Sequence, residues 1–134
     1  MRLLLVDDDS DFQSLIASSA PPWIEIVPCG STREAVEILT CPPARIDLSL
    51  VDINMDPYLE PLAEREGLGL IRWMLETRRS TPSILVSASP LPAGGETEAP
   101  PVVGFLSKPV NLDRLFRFLG AFRDLFSERS GPGA

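Results

Sequence analysis

Short apolar runs alternate with segments of helical periodicity along most of this chain. We predict five strands from the runs: Leu3–Val6, Ile24–Pro28, Asp47–Ile53, Ser83–Ala88 and Val102–Ser107. The first run is continuously apolar, as is typical of a strand that is buried on both faces of a sheet. Strands that alternate with helices indicate an α/β fold, with a parallel sheet that helices cover on both sides.

The segments between the predicted strands have apolar residues at helical spacing. The first helix is predicted over Ser10–Ala20, with Asp9 or Ser10 as its cap and with one apolar face that comprises Phe12, Leu15, Ile16 and Ser19. A second helix is predicted to begin at the capping box Ser31–Glu34. A third is predicted over Gly67–Arg79, and the last helix is predicted to begin at Asn111. The last helix has apolar residues from Leu112 to Leu125 along one face.

Two segments depart from this alternation. Residues 54–66 are long for a connection between a strand and a helix, and residues 89–101 contain four prolines and two glycines. Each interior proline costs a helix roughly 3 kcal/mol. The fourth helix, which a regular alternation would place between the fourth and fifth strands, is therefore predicted to be short or replaced by a loop. We predict one domain over residues 1–126 and a flexible tail over residues 127–134.

Composition narrows the classes of function. The chain has 134 residues, a net charge of −7 and no histidine. The negative charge argues against direct nucleic-acid binding, and the lack of histidine removes an imidazole base or a phosphohistidine within the chain. No apolar run is long enough to span a bilayer, and the two cysteines form no metal-binding pattern. We therefore expect a cytoplasmic protein without membrane contact.

Polar side chains that could take part in binding or catalysis lie at the ends of four of the predicted strands. Asp7 and Asp8 follow the first strand, Asp52 ends the third, Ser87 ends the fourth and Lys108 follows the fifth. Ligands of open parallel sheets bind outside these strand ends. Crowded carboxylates need a cation, for which Mg²⁺ is the natural partner, and a carboxylate beside Mg²⁺ can attack phosphorus. Lys108 and Ser87 can contact phosphoryl oxygens.

Four motifs resemble those of response-regulator receiver domains and occur in that family's order. They are Leu-Leu-Val-Asp-Asp-Asp at 4–9, Leu-Val-Asp-Ile-Asn-Met at 50–55, Val-Ser-Ala at 86–88 and Phe-Leu-Ser-Lys-Pro at 105–109. The resemblance implies a doubly wound, flavodoxin-like sheet of five parallel strands in the order 2-1-3-4-5. It also implies a signalling domain rather than an enzyme with a separate substrate.

The resemblance assigns a role to each of these residues. Asp52 is the implied phospho-acceptor, and the Mg²⁺ ligands are Asp8, Asp7 through water, Asp52 and the backbone carbonyl of Asn54. Lys108 and Ser87 are the implied catalytic contacts to the phosphoryl group, and Ser87 with Phe105 forms the implied switch. The family also implies a cis peptide bond between Lys108 and Pro109.

The implied function is transfer of a phosphoryl group from a partner histidine kinase or histidine phosphotransfer protein, followed by a change in the binding of a downstream protein. Asp56 interrupts the family's usual Met-Pro pair. The altered segment 89–101 falls on the surface that the family usually uses for dimerisation, so the sequence does not decide whether the protein forms a homodimer. Two alternatives stay open as well. A degenerate receiver would bind proteins without phosphorylation. A haloacid-dehalogenase-type phosphatase is disfavoured, because Asn54 stands where that family needs an acid.

Overall fold

The protein is represented by a computed structural model that describes residues 1–40, 45–53, 70, 73–74, 76–77, 81–87 and 102–129. Its elements are β1 (Arg2–Val6), α1 (Ser10–Ser19), β2 (Glu25–Cys29), α2 (Thr32–Thr40), β3 (Leu48–Asp52), β4 (Ser83–Ser87), β5 (Val102–Ser107) and α3 (Leu112–Arg129). Residues 70, 73–74 and 76–77, between β3 and β4, have helical conformation.

The five strands form one parallel sheet in the order β2-β1-β3-β4-β5. The predicted fold class and strand order are therefore confirmed. Every residue of β3 and β4 is buried, in keeping with central strands that helices cover on both faces. In β5, at the edge of the sheet, more and less exposed residues alternate instead.

Two apolar clusters hold the sheet between its helices. Alternate residues of each strand point to opposite faces, so the sequence Leu3 to Val6 supplies both clusters in turn. One cluster joins the sheet to α2 and to the helical residues Leu70 and Met74. The other joins it to α1 through Ile16 and to α3 through Leu115 and Leu119. This two-sided burial fixes the strand register and, with it, the positions of the residues at the strand ends.

Two details of the predicted helix faces are wrong. The side chain of Leu15 is 49% exposed, because α1 packs on the sheet along the narrower stripe of Phe12 and Ile16. Leu125 is 62% exposed. The 18-residue helix α3 is roughly 27 Å long, whereas the strands beneath it are roughly 17 to 20 Å, so its last turns extend beyond the sheet.

Several predictions lie outside the described residues. These are the structures of residues 54–66 and 89–101, the replaced fourth helix and most of the helix Gly67–Arg79. Helix α3 continues to Arg129, so residues 127–129 of the predicted tail are helical, and residues 130–134 are outside the described part. Among the residues described, no helix is long and apolar enough to cross a membrane.

Candidate functional site

Three carboxylates meet where β1 and β3 end. The two strands are neighbours with Val6 opposite Val51, so Asp7 and Asp52 emerge side by side at the same edge of the sheet. One carboxylate oxygen from each of Asp7, Asp8 and Asp52 lies within 4.8 Å of the other two. Asp7 and Asp52 are buried, whereas Asp8 is exposed. The cluster is thus embedded in the fold on one side and open to solvent on the other.

Lys108 brings a positive charge to this cluster from the end of β5, which lies two strands away from β3 in the sheet. Its backbone N–H donates a 2.9 Å hydrogen bond to the carbonyl of Ser87, which ties the end of β5 to the end of β4. Its Nζ donates to Asp52 Oδ2 at 3.1 Å and lies 3.2 Å from Asp7 Oδ2. The peptide bond between Lys108 and Pro109 is cis, as predicted. Lys108 is also the only lysine in the sequence.

The pKa directions follow from this crowding. Burial raises the pKa of Asp7 above its ordinary value and the charge of Asp52 adds to the increase, although the Asp9 N–H and Lys108 act in the opposite direction. Burial acts to lower the pKa of Lys108, but the charges of Asp52 and Asp7 outweigh it, and the pKa of Lys108 is raised. Lys108 therefore stays an ammonium ion, which places one positive charge beside three carboxyl groups.

The donor set fits Mg²⁺. Asp7 Oδ2 is buried and accepts no hydrogen bond of good geometry from the described residues. Lys108 Nζ lies 3.2 Å away and forms an ion pair with it. A buried carboxylate oxygen of this kind is costly unless a cation or a further donor completes it. Carboxylate oxygens at a solvent-open edge are the ligands that Mg²⁺ prefers. Asp7, Asp8 and Asp52 are the described residues that would hold the ion.

Residues of α1 support the cluster. Asp9 caps the helix, as predicted, by accepting hydrogen bonds from the N–H groups of Asp11 and Phe12. Gln13 Nε2 donates to the carbonyls of Asp7 and Cys29 at 2.7 and 2.9 Å, so it joins the ends of β1 and β2. The Phe12 ring centroid is 5.1 Å from Lys108 Nζ. Sequence reasoning missed the contact of Gln13 with Cys29 and that of Phe12 with Lys108, because each joins residues from different elements that are far apart along the chain.

The other predicted site residues are placed as follows. Ser87 ends β4 and is buried beside the cluster's strands. Phe105 lies in the middle of β5 with 45% of its surface exposed, away from the carboxylates. Asn54 is outside the described residues. The structure therefore brings together Asp7, Asp8, Asp52 and Lys108. The roles predicted for these four residues and for Ser87, Phe105 and Asn54 stay predictions.

Comparison with solved structures identifies the fold. A response regulator receiver protein from Pseudoalteromonas atlantica matches at a TM-score of 0.76 and 13% identity, over 92% of this chain and 98% of that one. A response regulator receiver protein from Pseudomonas putida matches at 0.65 and 29% identity, over 90% and 95%. A chain from the complex of histidine kinase ThkA with the response regulator protein TrrA matches at 0.68 and 20% identity, over 90% and 97%.

No protein-family model and no curated protein matches the sequence. The structural matches cover nearly the whole chain. The resemblance drawn from the four motifs is confirmed at the level of the fold: this chain has the fold of response-regulator receiver domains.

Proposed function

We propose that the protein is a receiver domain that accepts a phosphoryl group on Asp52 in a Mg²⁺-dependent reaction. The observation that carries the proposal is the contact of Lys108 Nζ with Asp52 Oδ2 at 3.1 Å, inside a cluster of three carboxylates. A carboxylate can act as a nucleophile towards phosphorus, and an ammonium ion beside it can neutralise the charge of the incoming phosphoryl oxygens. The domain is a signalling module, not an enzyme with a separate substrate.

The chemistry assigned to the side chains is simple. A carboxylate oxygen of Asp52 forms a bond to phosphorus while the bond from phosphorus to the donor's leaving group breaks. Lys108 lies close enough to neutralise charge on the phosphoryl oxygens, and the Ser87 hydroxyl is assigned the same task. Mg²⁺ held by Asp7, Asp8 and Asp52 would supply charge neutralisation for the incoming phosphoryl group.

The proposed donor is a partner histidine kinase or histidine phosphotransfer protein, as the resemblance to receiver domains implies. The similar chain from the complex of ThkA with TrrA supports such a partner. We further assign Ser87 and Phe105 to a switch that changes binding of a downstream protein, and we place the protein in the cytoplasm. Phe105 is suited to that role because its ring is nearly half exposed on β5.

Intact-mass spectrometry tests the proposal. The protein is incubated with acetyl phosphate and Mg²⁺, and Asp52→Asn and a chelator-treated sample are run in parallel. We expect an increase of one phosphoryl group in the wild type and none in either control, because Asn lacks the nucleophilic oxygen. A folded wild type that takes up no phosphate would favour the degenerate receiver. Phosphate uptake by Asp52→Asn would place the acceptor elsewhere.

A further inference from the structure

The ammonium group of Lys108 has three described contacts, and one of them is not a carboxylate. On one side are Asp52 and Asp7, at 3.1 and 3.2 Å. On another side is the ring of Phe12, whose centroid is 5.1 Å from Nζ. An ammonium ion within about 6 Å of an aromatic ring centroid is attracted by the ring's negative face. The side chain of Lys108 is only 24% exposed, so this contact is partly shielded from water.

We propose that Phe12 is a positioning residue that holds the Lys108 ammonium beside the phosphoryl-accepting oxygen of Asp52. The proposal rests on the proposed function, since it assigns Lys108 a task in phosphoryl transfer. Phe12 touches neither the carboxylates nor the donor in this account. It acts through Lys108 alone, by limiting the positions that a flexible four-carbon side chain can take.

The ring is itself firmly placed. Phe12 is half-buried and packs against the apolar cluster between the sheet, α1 and α3. Its backbone N–H donates to the capping carboxylate of Asp9 at 3.2 Å. The same short segment carries Asp7 and Asp8, so the position of the ring is linked to the position of the acidic cluster. Because the ring is packed against the core and the lysine side chain has four rotatable bonds, the ring limits the positions of the lysine more than the lysine limits those of the ring.

The contact with the ring matters most when the site is loaded. Three ionised carboxylates would carry three negative charges, which the two charges of a bound Mg²⁺ and the one charge of Lys108 would balance in sum. A divalent cation held by these carboxylates would weaken their attraction for Lys108. The attraction of the neutral ring is not reduced in this way. Phe12 therefore keeps the ammonium near Asp52 in the state in which transfer occurs.

The first test is the rate of phosphorylation by acetyl phosphate. We expect Phe12→Leu to lower the rate about five-fold, equivalent to about 1 kcal/mol, because leucine fills similar space without a negative face. Phe12→Tyr keeps the ring and should stay within two-fold of wild type. The Mg²⁺ concentration for half-maximal rate should not change in either variant. Phe116→Leu is the matched control, since Phe116 packs against the same cluster from α3.

The second test needs no phosphorylation. Because Lys108 is the only lysine, labelling with ¹³C-lysine gives one set of lysine NMR signals. Protons beside an aromatic face resonate upfield, so we expect the Lys108 ε-protons to be shifted upfield in wild type and in Phe12→Tyr. The shift should be lost in Phe12→Leu and kept in Phe116→Leu. If Phe12→Leu does not fold, Phe12→Met takes its place, because the unbranched methionine side chain adapts to irregular space in a core.

The outcomes separate the two proposals. A wild type that shows the upfield shift but accepts no phosphate would contradict the receiver function. The role of Phe12 in phosphoryl transfer would then be wrong as well, although the contact of Phe12 with Lys108 would be confirmed. A working receiver in which Phe12→Leu has an unchanged rate and unchanged lysine signals would overturn the positioning role only. The same conclusion follows if Phe116→Leu lowers the rate as much as Phe12→Leu.

Discussion

The carboxyl ends of β1 and β3 differ sharply from the surface formed by β5 and α3. At the strand ends, buried carboxylates and one ammonium ion are held within hydrogen-bond distance. On the other surface lies a groove of about 500 Å³, which we call the β5–α3 groove. It is lined by Ile84, Gly104, Phe105, Leu106, Ser107, Pro109, Asn111, Arg114, Leu115 and Phe118. Phe105 and Phe118 are both more than a third exposed there.

The difference shows how the two regions are built. The strand ends are positioned by backbone pairing of central strands, so their geometry follows from the packed core. The β5–α3 groove lies at an edge strand, where large apolar side chains are left partly in water. Lys108 connects the regions, because it follows β5 directly and reaches the carboxylates. Apart from Lys108 itself, we expect substitutions at the strand ends to change phosphorylation, and substitutions of groove side chains such as Phe105 to change mainly the groove surface.

The largest effect is expected from removal of Lys108, the cation that contacts the cluster among the residues the structure describes. Lys108→Met should lower the rate of phosphorylation by acetyl phosphate about a hundred-fold or more, since a positioned charge that stabilises the transition state is lost. Lys108→Arg should not restore it, because a planar guanidinium does not replace a compact ammonium. Arg117→Met, which removes an exposed charge from α3, is the control and should keep the wild-type rate. A rate within ten-fold of wild type for Lys108→Met would contradict this account.

A second effect separates metal binding from stability. Asp7→Asn should abolish detectable Mg²⁺ binding by calorimetry while it raises the free energy of unfolding without Mg²⁺ by about 1 kcal/mol. The sign follows from the raised pKa of Asp7, because burial disfavours the charged carboxylate in the folded state. The charged carboxylate therefore lowers the free energy of unfolding at neutral pH. This loss of stability disappears as the pH falls from the raised pKa to below the ordinary pKa of an aspartate. Urea unfolding with a chelator measures it. Exposed Glu37→Gln should change neither quantity, and a destabilised Asp7→Asn would contradict the interpretation.

A third experiment addresses the β5–α3 groove. Phe105→Ala should lower the free energy of unfolding by about 1 kcal/mol at most, whereas Leu85→Ala, at its register partner in the core, should cost about 2 to 5 kcal/mol. Phosphorylation of Phe105→Ala should stay within two-fold of wild type, because the ring lies away from the carboxylates. A large loss of rate would mean that the two regions are not separable.

The smallest effect is expected from a buried hydroxyl away from the site. Ser49 Oγ, in the middle of β3, has no hydrogen-bond partner among the described residues. Ser49→Ala should therefore leave the stability unchanged or raise it by up to about 1 kcal/mol. Its register partner Ser83 is the matched control: Ser83 Oγ donates to the Thr81 carbonyl at 2.8 Å, so Ser83→Ala should destabilise by about 1 kcal/mol. Thermal and urea unfolding compare the pair.

The strand order and the residues at the strand ends could be predicted from the sequence. Mainly apolar runs that end at Asp7, Asp52 or Lys108 locate the strands and their polar ends together, because the first charged residue after such a run marks the end of the predicted strand. The exposed positions of Leu15 and Leu125 could not be predicted, since helical periodicity does not reveal how wide a stripe the sheet covers. The contact of Phe12 with Lys108 joins residues 96 positions apart, and no local pattern encodes it.

The central claim is that Asp52 accepts the phosphoryl group, and residue-level mapping tests it most directly. Wild-type protein treated with acetyl phosphate and Mg²⁺ is reduced with borohydride, which converts an aspartyl phosphate to homoserine, and its peptides are sequenced by tandem mass spectrometry. We predict homoserine at position 52 alone, with Asp7 and Asp8 unmodified. Homoserine at another aspartate, or its formation in a sample without Mg²⁺, would contradict the account.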